Sequence, residues 1–238
     1  MEQIPLPYLL QQIPDVPKQL LIRGEFPDEE KYVFLSVIGS RKYTPYGKQA
    51  VETIIRGLAG YPIVIVSGLA LGMDALAHEA ALANSLKTIA VPGSGLDDAS
   101  IYPARHLNLA HRILQSGGAL VSEFEPGFKA NKWSFPKRNR IMAGLSHAVL
   151  VIEAENKSGT RITARLATEY NREVFSVPGS IFSSSSDGTN QLIREGATPV
   201  TSAQDIIDFF GFENQNKLQQ ETLFENLSDQ EHLILSLL

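Results

Sequence analysis

Six short apolar runs recur along the chain: Val33-Phe-Leu-Ser-Val-Ile38, Ile63-Val-Ile-Val66, Thr88-Ile-Ala-Val91, Ala119-Leu-Val121, Ala148-Val-Leu-Val-Ile152 and Val174-Phe-Ser-Val177. Each is apolar at consecutive positions, as a strand buried on both faces is, whereas a one-sided antiparallel strand alternates. Helical patterns separate them. Thr44-Pro45 reads as an N-cap followed by proline at the first helical position, Tyr46, Ala50, Val51, Ile54, Ile55 and Leu58 follow at helical spacing, and Gly60 ends the pattern. Asp74 to Asn84 and Thr160 to Tyr170 are two further helices. Strands alternating with helices build βαβ units. The spacing therefore predicts a doubly wound α/β sheet of six or seven strands, mainly parallel, with helices on both faces.

The two ends depart from this rhythm. Residues 1–30 carry Pro5, Pro7, Pro14, Pro17 and Pro27, which suit an extended lead segment lying on the sheet; residues 31–212 form the main domain. Residues 213–238 read as an acidic, Gln-rich linker and then a helix opened by the capping box Ser228-Asp-Gln-Glu231, expected to be the truncated start of a further domain. With 43% hydrophobic residues the 238-residue chain has a sizeable core to bury. It holds no cysteine, which excludes disulfides, thiolate metal sites and a cysteine nucleophile. No apolar stretch has the length of a membrane span, and Met1-Glu-Gln-Ile-Pro5 does not resemble a secretory signal. A cytoplasmic protein with no membrane contact is expected.

In an open parallel sheet, ligands bind beyond the carboxyl ends of the strands. The turns there are rich in glycine: Gly39-Ser40-Arg41, Ser67-Gly68-Leu-Ala-Leu-Gly72, Pro92-Gly93-Ser94-Gly95 and Lys157-Ser158-Gly159-Thr160. Glycine admits close backbone approach, and helix N-termini present free N–H groups to phosphate oxygens. The familiar nucleotide motifs are absent: Gly93-Ser-Gly95 is not completed to G-x-G-x-x-G, and no P-loop pattern occurs. No histidine pair has metal-ligand spacing, so neither cofactor nor metal is expected.

Charge sharpens the picture. The net charge is −5, yet residues 129–172 hold nine basic and three acidic residues, a local +6 that leaves −11 elsewhere. Such an island is an anion site whatever the total. Within it, Lys129, Lys132, Lys137, Arg138 and Arg140 interleave with Phe128, Trp133 and Phe135. Cations neutralise phosphates while aromatic faces stack on unpaired bases, a combination suited to single-stranded nucleic acid. The stretch reads as a long loop, with no recognition helix for a duplex in view.

These residues resemble the DNA-processing protein A (DprA/Smf) family over roughly residues 14–211. The resemblance is carried by Gly39-Ser-Arg41, Ser67-Gly-Leu-Ala-Leu-Gly-Met-Asp74, Gly93-Ser-Gly95 with Tyr102-Pro103, Phe135-Pro-Lys-Arg-Asn-Arg-Ile-Met-Ala-Gly-Leu-Ser146, Val177-Pro-Gly179 and Gly188-Thr-Asn190. It implies an extended Rossmann-like fold, single-stranded DNA binding, a homodimer, delivery of RecA recombinase onto incoming DNA during natural transformation, and no catalysis. It also implies a DNA pocket lined by Ser40, Arg41, Ser67, Gly68, Gly93, Ser94, Gly95 and the block Phe135 to Arg140, Asn139 included. Arg41 with Arg138 or Arg140 would hold phosphates, and Phe135 or Trp133 would stack. Met73 stands where isoleucine is usual and Thr160-Arg161 where Ser-Leu is common; both keep the backbone demands.

The architecture is also similar to the lysine-decarboxylase-like nucleotide phosphoribohydrolases, with Arg140-Ile-Met142 and Lys157-Ser-Gly-Thr160 in comparable places. That signature needs Pro-Gly-Gly where Glu155-Asn-Lys157 stands, and an acid where Thr163 stands. Without the carboxylate, cleavage of the glycosidic bond loses its general acid or base. Glu153 and Glu123 would replace it only by reaching the pocket. An acidic tail docking a basic protein is a third reading, compatible with DNA binding.

Overall fold

A computed structural model of the chain describes residues 1–156 and 158–212. Nine strands form one sheet: β1 (Glu2–Ile4), β2 (Leu20–Gly24), β3 (Val33–Ile38), β4 (Ile63–Ser67), β5 (Thr88–Ala90), β6 (Ala119–Ser122), β7 (Ala148–Val151), β8 (Glu173–Ser176) and β9 (Thr198–Pro199). The helices are α1 (Tyr8–Gln11), α2 (Pro45–Gly57), α3 (Met73–Ala83), α4 (Leu107–Gln115), α5 (Ser134–Leu145), α6 (Gly159–Glu169), α7 (Asp187–Arg194) and α8 (Ala203–Phe209). Residues 1–203 form one compact unit; a second begins at Gln204, and within it Ile206 and Ile207 are buried.

The spatial order is β1-β2-β6-β5-β4-β3-β7-β8-β9. From β6 to β9 every neighbouring pair is parallel, and β2 joins β6 antiparallel, with Leu21 opposite Ser122. The expected doubly wound sheet is present, and all six apolar runs are strands within it. Its strand count is nine, not six or seven. The additional strands are β1, β2 and β9: β1 and β9 have three and two residues, and in β2 the apolar Leu20-Leu-Ile22 is cut off by Arg23 and Gly24. The proline-rich lead therefore joins the sheet edge through β1 and β2. The expected linker and capped helix of residues 213–238 lie outside the described residues.

Every residue of β4 and of β7 is buried, which is what two-sided apolarity demands. The polar exceptions are satisfied: the Ser67 hydroxyl donates to the Val37 carbonyl at 2.7 Å, and Ser36 lies 2.9 Å from Ser146. Helix α2 begins as expected, with Thr44 Oγ1 accepting the Gly47 N–H at 3.1 Å and Pro45 in the first turn.

One element departs from expectation. Residues 134–145 are not loop but the helix α5. Pro136 falls in its first turn, where the missing N–H has no intrahelical partner to lose. The helix buries both of its arginines, so its sequence does not show an amphipathic face.

From β3 the chain steps through β4 and β5 to β6, then returns to place β7 on the other side of β3. The winding direction changes between β3 and β7, and a crevice opens there at the carboxyl ends of the strands.

Candidate nucleic-acid interface

That crevice is a cleft of about 600 Å³, built by the turn after β3, the first turns of α5 and the amino end of α6. Gly72 fixes the turn: its φ is +82°, and a Cβ there would overlap the backbone of Ser40 and Arg41. The Met73 N–H donates to the Ser40 carbonyl at 3.1 Å, and Ser40 Oγ accepts the Lys42 N–H at 3.0 Å. So held, Arg41 lays its guanidinium 5.3 Å from the centre of the Phe135 ring. Phe135 in turn lies 5.7 Å from Tyr102 and rests on Gly93, whose missing side chain leaves it room.

Behind this face Arg138 is buried, its Nη1 donating to the Val91 carbonyl at 2.6 Å. Gly68 lies flush against its guanidinium, and a Cβ there would overlap it. Buried Asp74 stands opposite and accepts the Ala70 N–H at 3.3 Å. Burial pushes the Asp74 carboxyl up from its ordinary value, against the pull of Arg138, and burial likewise lowers Arg138. Both line the cleft, so a buried carboxyl and a buried guanidinium form its floor.

The far wall is the N-terminus of α6. Ser158 caps it without a side-chain hydrogen bond, leaving the first N–H groups free of a side-chain partner, and the Thr160 hydroxyl ties it to the Gly39 carbonyl at 3.1 Å. Thr163 lines the cleft where a hydrolase of the rival kind needs its acid. Glu153 does not reach in. It is buried beneath α2, accepting the Thr44 N–H at 3.0 Å and the Thr44 hydroxyl at 2.5 Å. Glu123 faces Arg140 instead, at 2.5 Å.

Of the residues singled out from sequence, Ser40, Arg41, Lys132, Phe135, Arg138, Asn139, Ser158 and Gly159 line one cleft. Ser67 and Gly68 lie beneath it as backbone support. The Gly93-Ser94-Gly95 turn is packed: Ser94 is buried, and the Gly95 N–H donates to Phe128. Trp133 and Lys137 stand on the opposite flank of α5. Trp133 meets Phe124 and Phe128 edge-on at 5.8 and 5.5 Å, with Lys137 Nζ 5.9 Å above it. Lys129 donates to the Ala99 carbonyl. Arg140 turns away from the cleft, pairing with Glu123 and with Asp15.

The matched family model is described as DNA recombination-mediator protein A, and it spans residues 2–211. The chain belongs to that family. The DNA processing protein DprA of Streptococcus pneumoniae is 45% identical over 206 residues, covering 87% of this chain and 71% of that protein. Protein Smf of Escherichia coli is 43% identical over 198 residues, 83% of this chain and 52% of its own length. Among solved structures, DNA processing protein A of Helicobacter pylori, studied for its single-stranded DNA binding mode, superposes with a TM-score of 0.78 at 36% identity. That match covers 88% of this chain and 94% of the other. The sheet is accordingly the Rossmann-like fold of the recombination-mediator family.

Among the residues at the cleft that sequence reasoning did not single out as site residues, several carry charge or an aromatic face. Lys42 and Asp74 line the cleft, and Tyr102 extends its aromatic face. Lys42 adjoins Arg41 and was within reach of a charge argument. Asp74 was legible as a helix-opening acid and, like Tyr102, as part of the family resemblance.

Proposed function

We propose that this member of the recombination-mediator family binds single-stranded DNA at the β3/β7 cleft, without catalysis, and delivers RecA recombinase onto it during natural transformation. The observation that carries the reading is the Arg41–Phe135 stack beside the N-terminus of α6, which has no side-chain cap. A cation, an aromatic face and a helix N-terminus without a side-chain cap converge on one opening, as phosphate and unpaired base together require. The relatives' names and the DNA-binding mode of the Helicobacter pylori protein support it.

The non-catalytic reading follows from the carboxylates. Asp74 is committed to the cleft floor with Arg138, Glu153 to α2 and Glu123 to Arg140; Glu155 also lines the cleft, and among the described residues no second carboxylate is placed to work with it as an acid–base pair. Cytoplasmic residence and a homodimer complete the reading. No described helix is long and apolar enough to cross a membrane.

Fluorescence anisotropy of labelled oligo-dT tests the proposal, with unlabelled duplex as competitor and RecA added afterwards. Salt-sensitive binding that duplex displaces poorly, by a species sedimenting as a dimer and recruiting RecA, is expected. Absence of binding at low salt, or equal displacement by duplex, would refute the cleft as a single-strand site.

A further inference from the structure

Exposed aromatic side chains are unevenly placed on this molecule. Within residues 1–203 six are exposed: Tyr8, Tyr43, Tyr46, Tyr102, Trp133 and Phe182. Five of them sit in connections leaving the carboxyl ends of parallel strands: Tyr102 after β5, Trp133 after β6, Tyr43 and Tyr46 after β3, Phe182 after β8. The sixth, Tyr8, opens α1 at the opposite edge, its N–H bonded to Glu29 ahead of β3.

Phe182 is the extreme case. It is 94% exposed and follows Ile181 at 76%, beyond what an ordinary surface explains. Its presentation is built. The Phe182 N–H donates to Ser180 Oγ at 3.2 Å, the Ser183 N–H to the Ser180 carbonyl at 3.1 Å, and Ser183 and Ser185 hydroxyls meet at 2.8 Å. The loop is also tied to the cleft. The Tyr46 hydroxyl donates to the Pro178 carbonyl at 2.6 Å, and the segment 40–46 runs without interruption from the cleft wall to that contact.

We infer that Phe182 is a base-stacking platform for single-stranded DNA leaving the cleft, the far end of an aromatic track along the carboxyl edge of the sheet. This rests on the cleft reading proposed above. In spatial order the track passes the ends of β6, β5, β3 and β8, five strand spacings from first to last, or about 24 Å of edge. Nucleobases are the favoured occupant because the platform continues a cleft already fitted for the strand, and because every base offers a π-face to a ring. The loop 177–187 carries no lysine or arginine, so the contact neutralises no phosphate. Phe182 therefore contributes affinity without contributing salt dependence.

Phe182→Ala tests this with labelled dT20 and with an abasic strand of the same length, each titrated with salt, alongside sedimentation. The expected result is about a tenfold loss of affinity for dT20, in the range of one lost base–aromatic stack. The salt slope stays unchanged, the abasic strand binds as before, and Phe182→Trp restores dT20 binding with quenching of the new indole. Equal dT20 binding by Phe182→Ala and the unsubstituted chain would overturn the track and leave the cleft standing. So would a loss equally large on the abasic strand, or a change of oligomeric state with DNA affinity intact, which would make Phe182 a protein contact. Failure of the unsubstituted chain to bind dT20 would overturn the cleft reading itself.

Discussion

Beneath the cleft, His78 shows how much a single buried group sets conditions for the rest. It is fully buried, with Nδ1 2.7 Å from Thr88 Oγ1. The Thr88 hydroxyl spends its one proton on the Ile65 carbonyl at 2.8 Å, so the imidazole donates to it through Nδ1. Burial, with His106 and Arg138 nearby, lowers its pKa from 6.5 to about 3. The unfolded chain takes up a proton near pH 6.5 that the folded chain refuses until about 3, so stability falls as pH drops through that window. Between pH 7 and 5 this one group costs about 2 kcal/mol, at about 1.4 kcal/mol per pH unit below 6.5. Urea midpoints of the unsubstituted chain and of His78→Gln, measured at both pH values, should diverge by that amount, with the variant the less acid-sensitive. Parallel pH profiles would show that His78 is not the group responsible. From sequence His78 is merely a histidine in an Ala/Leu helix; its role needs β5 and α3 to be packed together.

At the scale of an element, α5 is where the fold and the site depend on each other. Its cleft-facing residues Phe135, Arg138 and Asn139 are useful only if the helix is held at a fixed rotation. Arg140 holds it: Nη2 meets Glu123 at 2.5 Å, Nε meets Asp15 at 3.1 Å, and the guanidinium also donates to the Asp15 carbonyl. Arg140 and Glu123 side chains are 7% and 8% exposed, so the pair is effectively buried, with Lys137 as a further cation on Glu123, at 3.3 Å. Arg140→Ala leaves that buried carboxylate with Lys137 alone, and an expected loss toward the lower end of about 3–5 kcal/mol should appear as a lower denaturant midpoint. Arg41→Ala, on an exposed turn, should leave the midpoint unchanged. A stable Arg140→Ala protein would mean that the clamp is dispensable.

The same helix marks the limit of sequence reading. Six strands were legible because two-sided burial writes an unbroken apolar run. The helix α5 was not, because a proline in its first turn and buried arginines erase the usual periodicity. The composition of the site was legible as cations, glycines and aromatics. The division into cleft residues, Arg140 as clamp and Trp133 as flank was not, since it depends on which way one helix is turned.

For the whole molecule, the question is how much of the basic island faces DNA. Nine cations between Lys129 and Arg172 suggest a strongly salt-dependent binder. The structure commits most of them elsewhere. Arg138 faces Asp74, and Arg140 and Lys137 face Glu123. Arg161 pairs with Glu195 at 2.8 Å, Arg165 with Glu169 at 2.8 Å, and Arg172 donates to the Leu9 carbonyl at 2.8 Å. Lys129 is held by Ala99. Among the described residues, the cations that line the cleft outside such pairs are Arg41, Lys42 and Lys132. For a single strand each neutralised phosphate contributes about −0.7 to the slope of log K against log salt. Three cations give a slope of about −2, whereas the full island would give about −6. Arg41→Ala should flatten the slope by about 0.7 as well as weaken binding. Titration of oligo-dT binding from low to moderate salt separates the two cases. A slope near −6 would require the Arg161–Glu195 and Arg165–Glu169 pairs to open onto DNA, and would place the strand across the outer face of α6 as well as in the cleft.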